Sequence, residues 1–385
     1  MTGDHSRRRP ATPIERRRTS PRAASAILAL ALLPALTVAG TVPQAHAATT
    51  ISAHKIVGGL NWPAAFTFTP NGKIFYGERF TGEVHLYNPT TGGNRLVFTI
   101  PRVVDNSNGE QGLLGLALHP QYPQKAFLFA YATRNVNGGR YDQIVRIALN
   151  GGVGTSMRVI FSGSTTSGTY HDGGRILFGP DGYLYAVMGE AHTRSNAQNL
   201  SNPAGKVLRM TTNGQAPAGN PGFADPLIWS YGLRNSFGFT FDPRTGSLWE
   251  TENGPECNDE INRIVKGRSF GWGPSESCSG SAPRNTNRDG PNPVLPLRWY
   301  TPTIAPTGTA FCDGCGLGGA SEGALFFNSW DDGEIHRLLL TPDRKGIASD
   351  RVVYRHGSGL VSMEVGPDGR LYFSDAGAIW RLRTG

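Results

Sequence analysis

Beyond residue 47 this sequence has no apolar run long enough to cross a bilayer, so that part of the chain offers no membrane anchor. It also lacks a sustained three-to-four-residue apolar period, which excludes a helical bundle. Strong charge of one sign is missing once the N-terminus is set aside. Residues 1–47 hold seven arginines and two acids, a net +5, so the formal +8 of the whole chain leaves +3 for the rest. A balance that small argues for neither nucleic-acid nor membrane-surface binding. Cysteine is scarce: Cys257, Cys278, Cys312 and Cys315 are the only four. The pair Cys312-x-x-Cys315 has no second such pair and no suitably spaced histidine, which argues against zinc.

The excluded N-terminus has its own logic. Arg7–Arg9, Arg16–Arg18 and Arg22 form a basic region, Ala23–Gly40 is apolar but contains Pro34, and Ala45-His46-Ala47 is a small-x-small cleavage signal. This predicts a signal peptide over residues 1–47, with Ala48 as the mature start and a secreted or periplasmic product. Arg17-Arg18 leaves twin-arginine export open beside the general route. In an exported chain, four cysteines predict two disulfides. Three pairings are possible; the neighbour pairing Cys257–Cys278 and Cys312–Cys315 is preferred.

What the chain has in abundance is Gly, Pro and aromatics, set in short apolar stretches between turns. A turn followed by an aromatic-rich strand recurs six times. Thr69–Gly72 precedes Lys73–Tyr76, and Leu118–Pro120 leads to Ala126–Tyr131. Gly179–Gly182 precedes Tyr183–Met188, and Asp242–Gly246 precedes Ser247–Thr251. Gly366–Gly369 precedes Arg370–Phe373, with a looser copy at Ala324–Phe327 and Glu334–Leu340. A unit of short antiparallel strands cannot bury both faces alone, but a closed ring of units can. The expectation is an all-β, six-bladed β-propeller of four-stranded antiparallel blades over residues 48–385. The proline-rich stretch from Gly271 to Thr309 reads as an ordered excursion over one face.

Four islands could carry chemistry. Asn108–Gly115 sets Glu110-Gln111 on a glycine-rich turn. Tyr170-His171-Asp172 offers an imidazole before Gly173-Gly174. Tyr231–Asn235 ends in Arg234-Asn235, and Glu252–Asn262 packs acids and amides around Gly254-Pro255. Each has a structural reading too: Gln111 can hold a turn, Arg234 can pair with an acid, and the acidic island can be a solvated loop. All four lie at loop–strand junctions, which a propeller gathers around its axis. A histidine, an arginine and hard oxygen donors there suit a charged organic ligand with a calcium ion.

The stretches GEQGLLGLALHP, YHDGGRILFGPDGYLY, GKVLRM, YGLRNSFGFTFDP, ENGPECNDEIN and PTIAPTG resemble, in this order, the glucose/sorbosone dehydrogenase family, from about Leu60 to Arg383. The resemblance implies a sugar dehydrogenase using pyrroloquinoline quinone and calcium, with an electron acceptor it does not identify. It implies His171 as the catalytic base, Arg234 on the quinone oxygen and Asp259 orienting the histidine. It also implies Asn235 and Gln111 beside the cofactor, and the carbonyls of Gly254 and Pro255 on calcium. One part departs. Where the family grips the cofactor's carboxylates with three cations, this chain has Asp331, Gly359 and Val361; Arg337, Arg351, Arg355 and His356 are the nearby basic residues. Phe237 also stands where the sugar oxidisers have glutamine. Two other expectations therefore stand beside the enzyme. One is a calcium-stabilised propeller that binds carbohydrate or protein without turnover. The other is a hydrolase built on Glu78, Glu190, Glu252 and Asp375. Trp299 and Tyr300 are candidates to stack on a sugar ring.

Overall fold

The computed structural model describes residues 50–165 and 168–385; the expected signal peptide, residues 1–47, lies outside them. Among the described residues there is no α-helix, only two 3-10 turns at Arg194–Gln198 and Gly319–Ser321. No helix there is long and apolar enough to cross a membrane.

The 24 strands, beginning with β1 (Ile51–Gly58), form six antiparallel sheets of four strands each. Blade 1 holds β2–β5 (Ala65–Phe68, Ile74–Gly77, Glu83–Tyr87, Asn94–Thr99), and blade 2 holds β6–β9 (Leu113–Leu118, Phe127–Val136, Gly139–Asn150, Val153–Thr165). Blade 3 holds β10–β13 (Ile176–Phe178, Leu184–Met188, Lys206–Met210, Ile228–Tyr231). Blade 4 holds β14–β17 (Ser236–Phe241, Leu248–Glu252, Asp259–Ile264, Arg298–Tyr300). Blade 5 holds β18–β21 (Pro306–Phe311, Leu325–Ser329, Glu334–Leu340, Ile347–Arg355). Blade 6 holds β22–β24 (Leu360–Val365, Leu371–Asp375, Ala378–Thr384) and takes β1 as its fourth strand, with Ile51 opposite Thr384 and Gly58 opposite Ala378. The six-bladed propeller is thus present, and its ring is closed by the first strand.

Each recurrent turn joins the first and second strand of one blade. In blade 5 that turn carries the Cys312–Cys315 disulfide; the other bridge is Cys257–Cys278, as preferred. The apolar runs are continuous because both faces of every blade are covered. In β11, Leu184, Ala186 and Met188 face blade 2, while Tyr185 and Val187 face blade 4. Six apolar clusters result, one at each blade interface. Each fully buried large side chain in them contributes about 1.5–3 kcal/mol.

The stretch from Gly271 to Thr309 is not wholly an excursion. Arg298–Tyr300 is the outer strand of blade 4, and blade 5 begins at Pro306. Trp299 and Tyr300 therefore sit on an outer strand. Tyr300 donates to Asp350 at 2.9 Å and packs against Phe327.

Candidate active site

The loop after β9 delivers His171 in a left-handed conformation, φ 66°. Gly173, also at φ 66°, lies against β11: a Cβ there would stand 2.8 Å from Gly189 N and Val187 O. The histidine is held at three points. Its backbone N–H donates to Glu110 Oε2 at 2.7 Å, its carbonyl accepts from Ala191 N–H at 3.0 Å, and Nδ1 donates to Glu190 Oε1 at 2.5 Å. A carboxylate on Nδ1 keeps the proton there and leaves Nε2 basic. The His192 ring stands edge-on at 4.8 Å.

Arg234 follows β13. Its Nη1 donates to Asn253 O at 2.8 Å, its guanidinium lies 5.4 Å from the Trp272 ring, and its backbone N–H donates to Glu252 Oε1. Burial pushes this guanidinium below its usual range, while Glu190, Glu252, Glu110 and Asp259 oppose the shift. His171, Glu190, Arg234 and Pro255 line one cleft of about 460 Å³. An imidazole base and a guanidinium thus face the same space.

Asp259 is the clear correction. It does not touch the imidazole. Its Oδ1 accepts from Gly254 N–H at 2.7 Å, and its Oδ2 accepts from Ile304 and Ala305 N–H at 2.6 and 2.7 Å. Burial lifts it to about 6 in spite of these three donors. The acid on the histidine is Glu190, just past the end of β11. The other two expected cofactor contacts are also turned inward. Asn235 Nδ2 donates to both oxygens of Glu110 at 3.0 and 3.2 Å, and its Oδ1 accepts from Gly173 N–H at 3.3 Å. Gln111 is fully buried; its Nε2 donates to Gly168 O at 3.1 Å and Asp172 Oδ1 at 3.3 Å. Both hold the loop that presents His171.

Gly254 and Pro255 line a small void with Glu252 and Glu260. On the adjoining face of β15 and β16, Glu252 lies opposite Glu260 and Glu250 opposite Asn262. All four are buried, and Glu250 Oε1 and Oε2, Glu252 Oε2 and Asn262 Oδ1 have no hydrogen-bond partner. Burial, then the charge of Glu252, raises Glu260 to about 8; Glu250 rises for the same reasons. Unpartnered buried carboxylate oxygens beside the Gly254-Pro255 turn fit a hard divalent cation such as calcium. Among the described residues, the acid and histidine side chains whose ligand atoms lie within 4.8 Å of one another are Glu78, Glu83 and His85 on blade 1.

The acids of the hydrolase reading do not converge. Glu78 accepts from Asn61 N–H, Glu190 from His171, Glu252 from Arg234 and Asn235 N–H, and Asp375 from His356 and Trp380. The clamp region is equally plain. Val361 lines a second, axial cavity of about 490 Å³ together with Trp62, Arg79, Glu110, Phe237 and Trp330. None of Arg337, Arg351, Arg355 and His356 lines either cavity. Arg337 donates to Ser321, Arg355 pairs with Glu334, and His356 pairs with Asp375 at 2.8 Å.

With this geometry in view, the family profile of glucose/sorbosone dehydrogenases matches residues 60–381. The chain belongs to the glucose/sorbosone dehydrogenase family. Within it, a structure described as a putative glucose dehydrogenase of Thermus thermophilus is 33% identical, with a TM-score of 0.75, and the match covers 86% of this chain and 99% of that one. The aldose sugar dehydrogenase of Escherichia coli (strain K12) is 27% identical over 335 residues, 84% of this chain and 89% of the relative. The PQQ-bound form of the aldose sugar dehydrogenase of Streptomyces coelicolor is 26% identical with a TM-score of 0.73, covering 87% of this chain and 98% of that one. The family and the fold agree with the sequence resemblance; the residue contacts described above are this chain's own.

Proposed function

We propose that the protein is an exported oxidoreductase that oxidises a hydroxyl of a sugar, the anomeric one or another, with pyrroloquinoline quinone and calcium. The observation that carries this is the pairing of His171 with Glu190 across a cleft from Arg234. With Nδ1 engaged, Nε2 of His171 takes the hydroxyl proton as the carbon gives up hydride. The quinone, when bound, supplies the carbonyl that receives that hydride. Arg234, facing the same cleft, would stabilise negative charge on an oxygen bound there. The Gly254-Pro255 turn and the glutamates beside it would hold calcium.

The reacting half of the site fits such a cofactor. The opposite half lacks the three cations expected for its carboxylates, each worth about 1.5–3 kcal/mol as a charge-assisted bond. That departure favours a second reading, a calcium-stabilised propeller that binds carbohydrate or protein without turnover. Titrating the calcium-loaded protein with the quinone distinguishes the two. A saturable shift in the quinone absorption, with dye reduction by aldoses that His171→Ala abolishes, supports the enzyme. No shift at high quinone concentration leaves the binding propeller.

A further inference from the structure

Lys206 stands in the stretch GKVLRM, which the proposed reaction does not use. Its side chain is fully buried at the start of β12, and its partners are three backbone carbonyls. Nζ donates to Asn196 O at 2.8 Å, Ala197 O at 3.1 Å and Ala204 O at 2.6 Å. An ammonium has three N–H donors and no acceptor, so these oxygens engage all of them. Burial lowers the lysine to about 7, and the charge of Asp225 opposes that shift. A buried lysine of this kind can serve as a nucleophile. This one lines neither the cleft nor the axial cavity, so it acts through the backbone that it holds.

That backbone forms one wall of the reactive cleft. Asn196 and Ala197 belong to the 3-10 turn Arg194–Gln198, and His192, Arg194 and Ser195 line the cleft with His171 and Arg234. The turn reaches both halves of the site. On one side Asn196 Nδ2 donates to Glu190 O at 3.0 Å, and Glu190 is the acid on His171. On the other, Ala197 O accepts from Gly232 N–H at 3.0 Å as well as from Lys206, and Gly232 lies two residues before Arg234. Gln198 ends the turn and donates to Trp272 O at 2.6 Å, while the Arg234 guanidinium lies 5.4 Å from the Trp272 ring. The chain returns to the turn at Gly205, φ 73°, where a Cβ would stand 2.8 Å from Ala197 Cα. Three carbonyl oxygens aimed at one point suit a compact ammonium, and a buried carbonyl that loses its donor shifts until it finds another.

We propose that Lys206 is a positioning residue for the cleft. Its ammonium pins the Arg194–Gln198 turn, and the turn keeps the Glu190–His171 pair and Arg234 in register with each other. That this register serves the oxidation of a sugar rests on the reading above; the hold on the His171–Glu190 pair does not.

Proton NMR of the calcium-loaded protein without quinone tests the hold, because the short Nδ1–H···Oε1 bond to Glu190 gives His171 a far-downfield proton signal. Lys206→Met keeps the length of the side chain and removes its donors. Asn196→Ala keeps the lysine and cuts the link to Glu190. In both folded variants the signal is expected to move upfield or broaden. In the quinone-loaded enzymes kcat is expected to fall about ten-fold, with KM changed less than about three-fold. A folded Lys206→Met that leaves either the signal or the turnover of an active enzyme at wild type overturns the assignment. If Lys206→Met does not fold, Asn196→Ala decides, and a wild-type signal in that variant overturns the proposal. If wild type itself shows no quinone-dependent turnover, the oxidoreductase reading falls and the NMR signal alone decides the role of Lys206.

Discussion

Nδ1 of His171 and Oε1 of Glu190 lie 2.5 Å apart, and the backbone N–H of Glu190 donates to the carbonyl of Arg234 at 2.8 Å. Glu190 thereby ties the loop before β10 to the loop after β13. Glu190→Gln keeps the shape but removes the charge that holds the proton on Nδ1. Turnover is expected to fall by about 10²-fold or more, with KM little changed, if His171 is the general base. Steady-state kinetics of the quinone-loaded variant check this, and a kcat within a few-fold of wild type would reject the pairing as functional.

Asp259 holds three backbone N–H groups from two loops. Asp259→Ala leaves Gly254, Ile304 and Ala305 without an acceptor, at about 1–3 kcal/mol for each group that stays buried. A lower melting temperature and weaker calcium binding are expected together, because the same turn is released. Kinetic loss without either change would mean that Asp259 acts on the chemistry directly.

The cluster of Glu250, Glu252 and Glu260 is costly without a cation. Calcium chelation is expected to lower the melting temperature at pH 8. Glu250→Gln with Glu260→Gln should abolish that calcium dependence and stabilise the metal-free protein, since a buried repulsion goes with the charges. An unchanged calcium response in the double variant would place the ion elsewhere.

Asp142 and Asp172 are buried together beside the histidine loop. Thr133 and Asp172 hydrogen-bond the Asp142 carboxyl, Tyr131 lies against it, and Gln111 and the charge of Arg79 bear on Asp172. Burial raises Asp142 to about 7. A folded value above the unfolded one means the native state keeps a proton that the unfolded chain releases. This contribution is whole below about pH 4 and is lost as pH rises toward 7, by up to about 1.4 kcal/mol per pH unit. Asp142→Asn should therefore gain on wild type between pH 5 and 8 in thermal melts. Parallel melting curves for the two proteins across that range would contradict the assignment.

The architecture was legible because each blade repeats one local signal. Thr69–Gly72 and Gly366–Gly369 both join a first strand to a second, although nearly the whole ring separates them in sequence. The islands at His171, Arg234 and Gly254-Pro255 were legible for the same local reason, as polar residues at strand ends. Partnerships across blades were not. Glu190 and Asp259 are both acids beside strands, and only the packing that brings Ala191 N–H onto His171 O decides which one meets the imidazole. Aromatic neighbours were no more legible: Trp299 is on an outer strand, whereas the adjoining rings of Trp62 and Trp330 come from segments far apart in sequence.

Because Ile51 pairs with Thr384, the head of the described chain completes the sheet that its tail begins. That sheet cannot assemble in a growing chain until Ala378–Thr384 has been made. Blades 1 to 5 must wait as an open arc, with an uncovered flank on blade 1 and another on blade 5. The pocket at the hub, which draws on residues from nearly every blade, is therefore among the last features to acquire its shape.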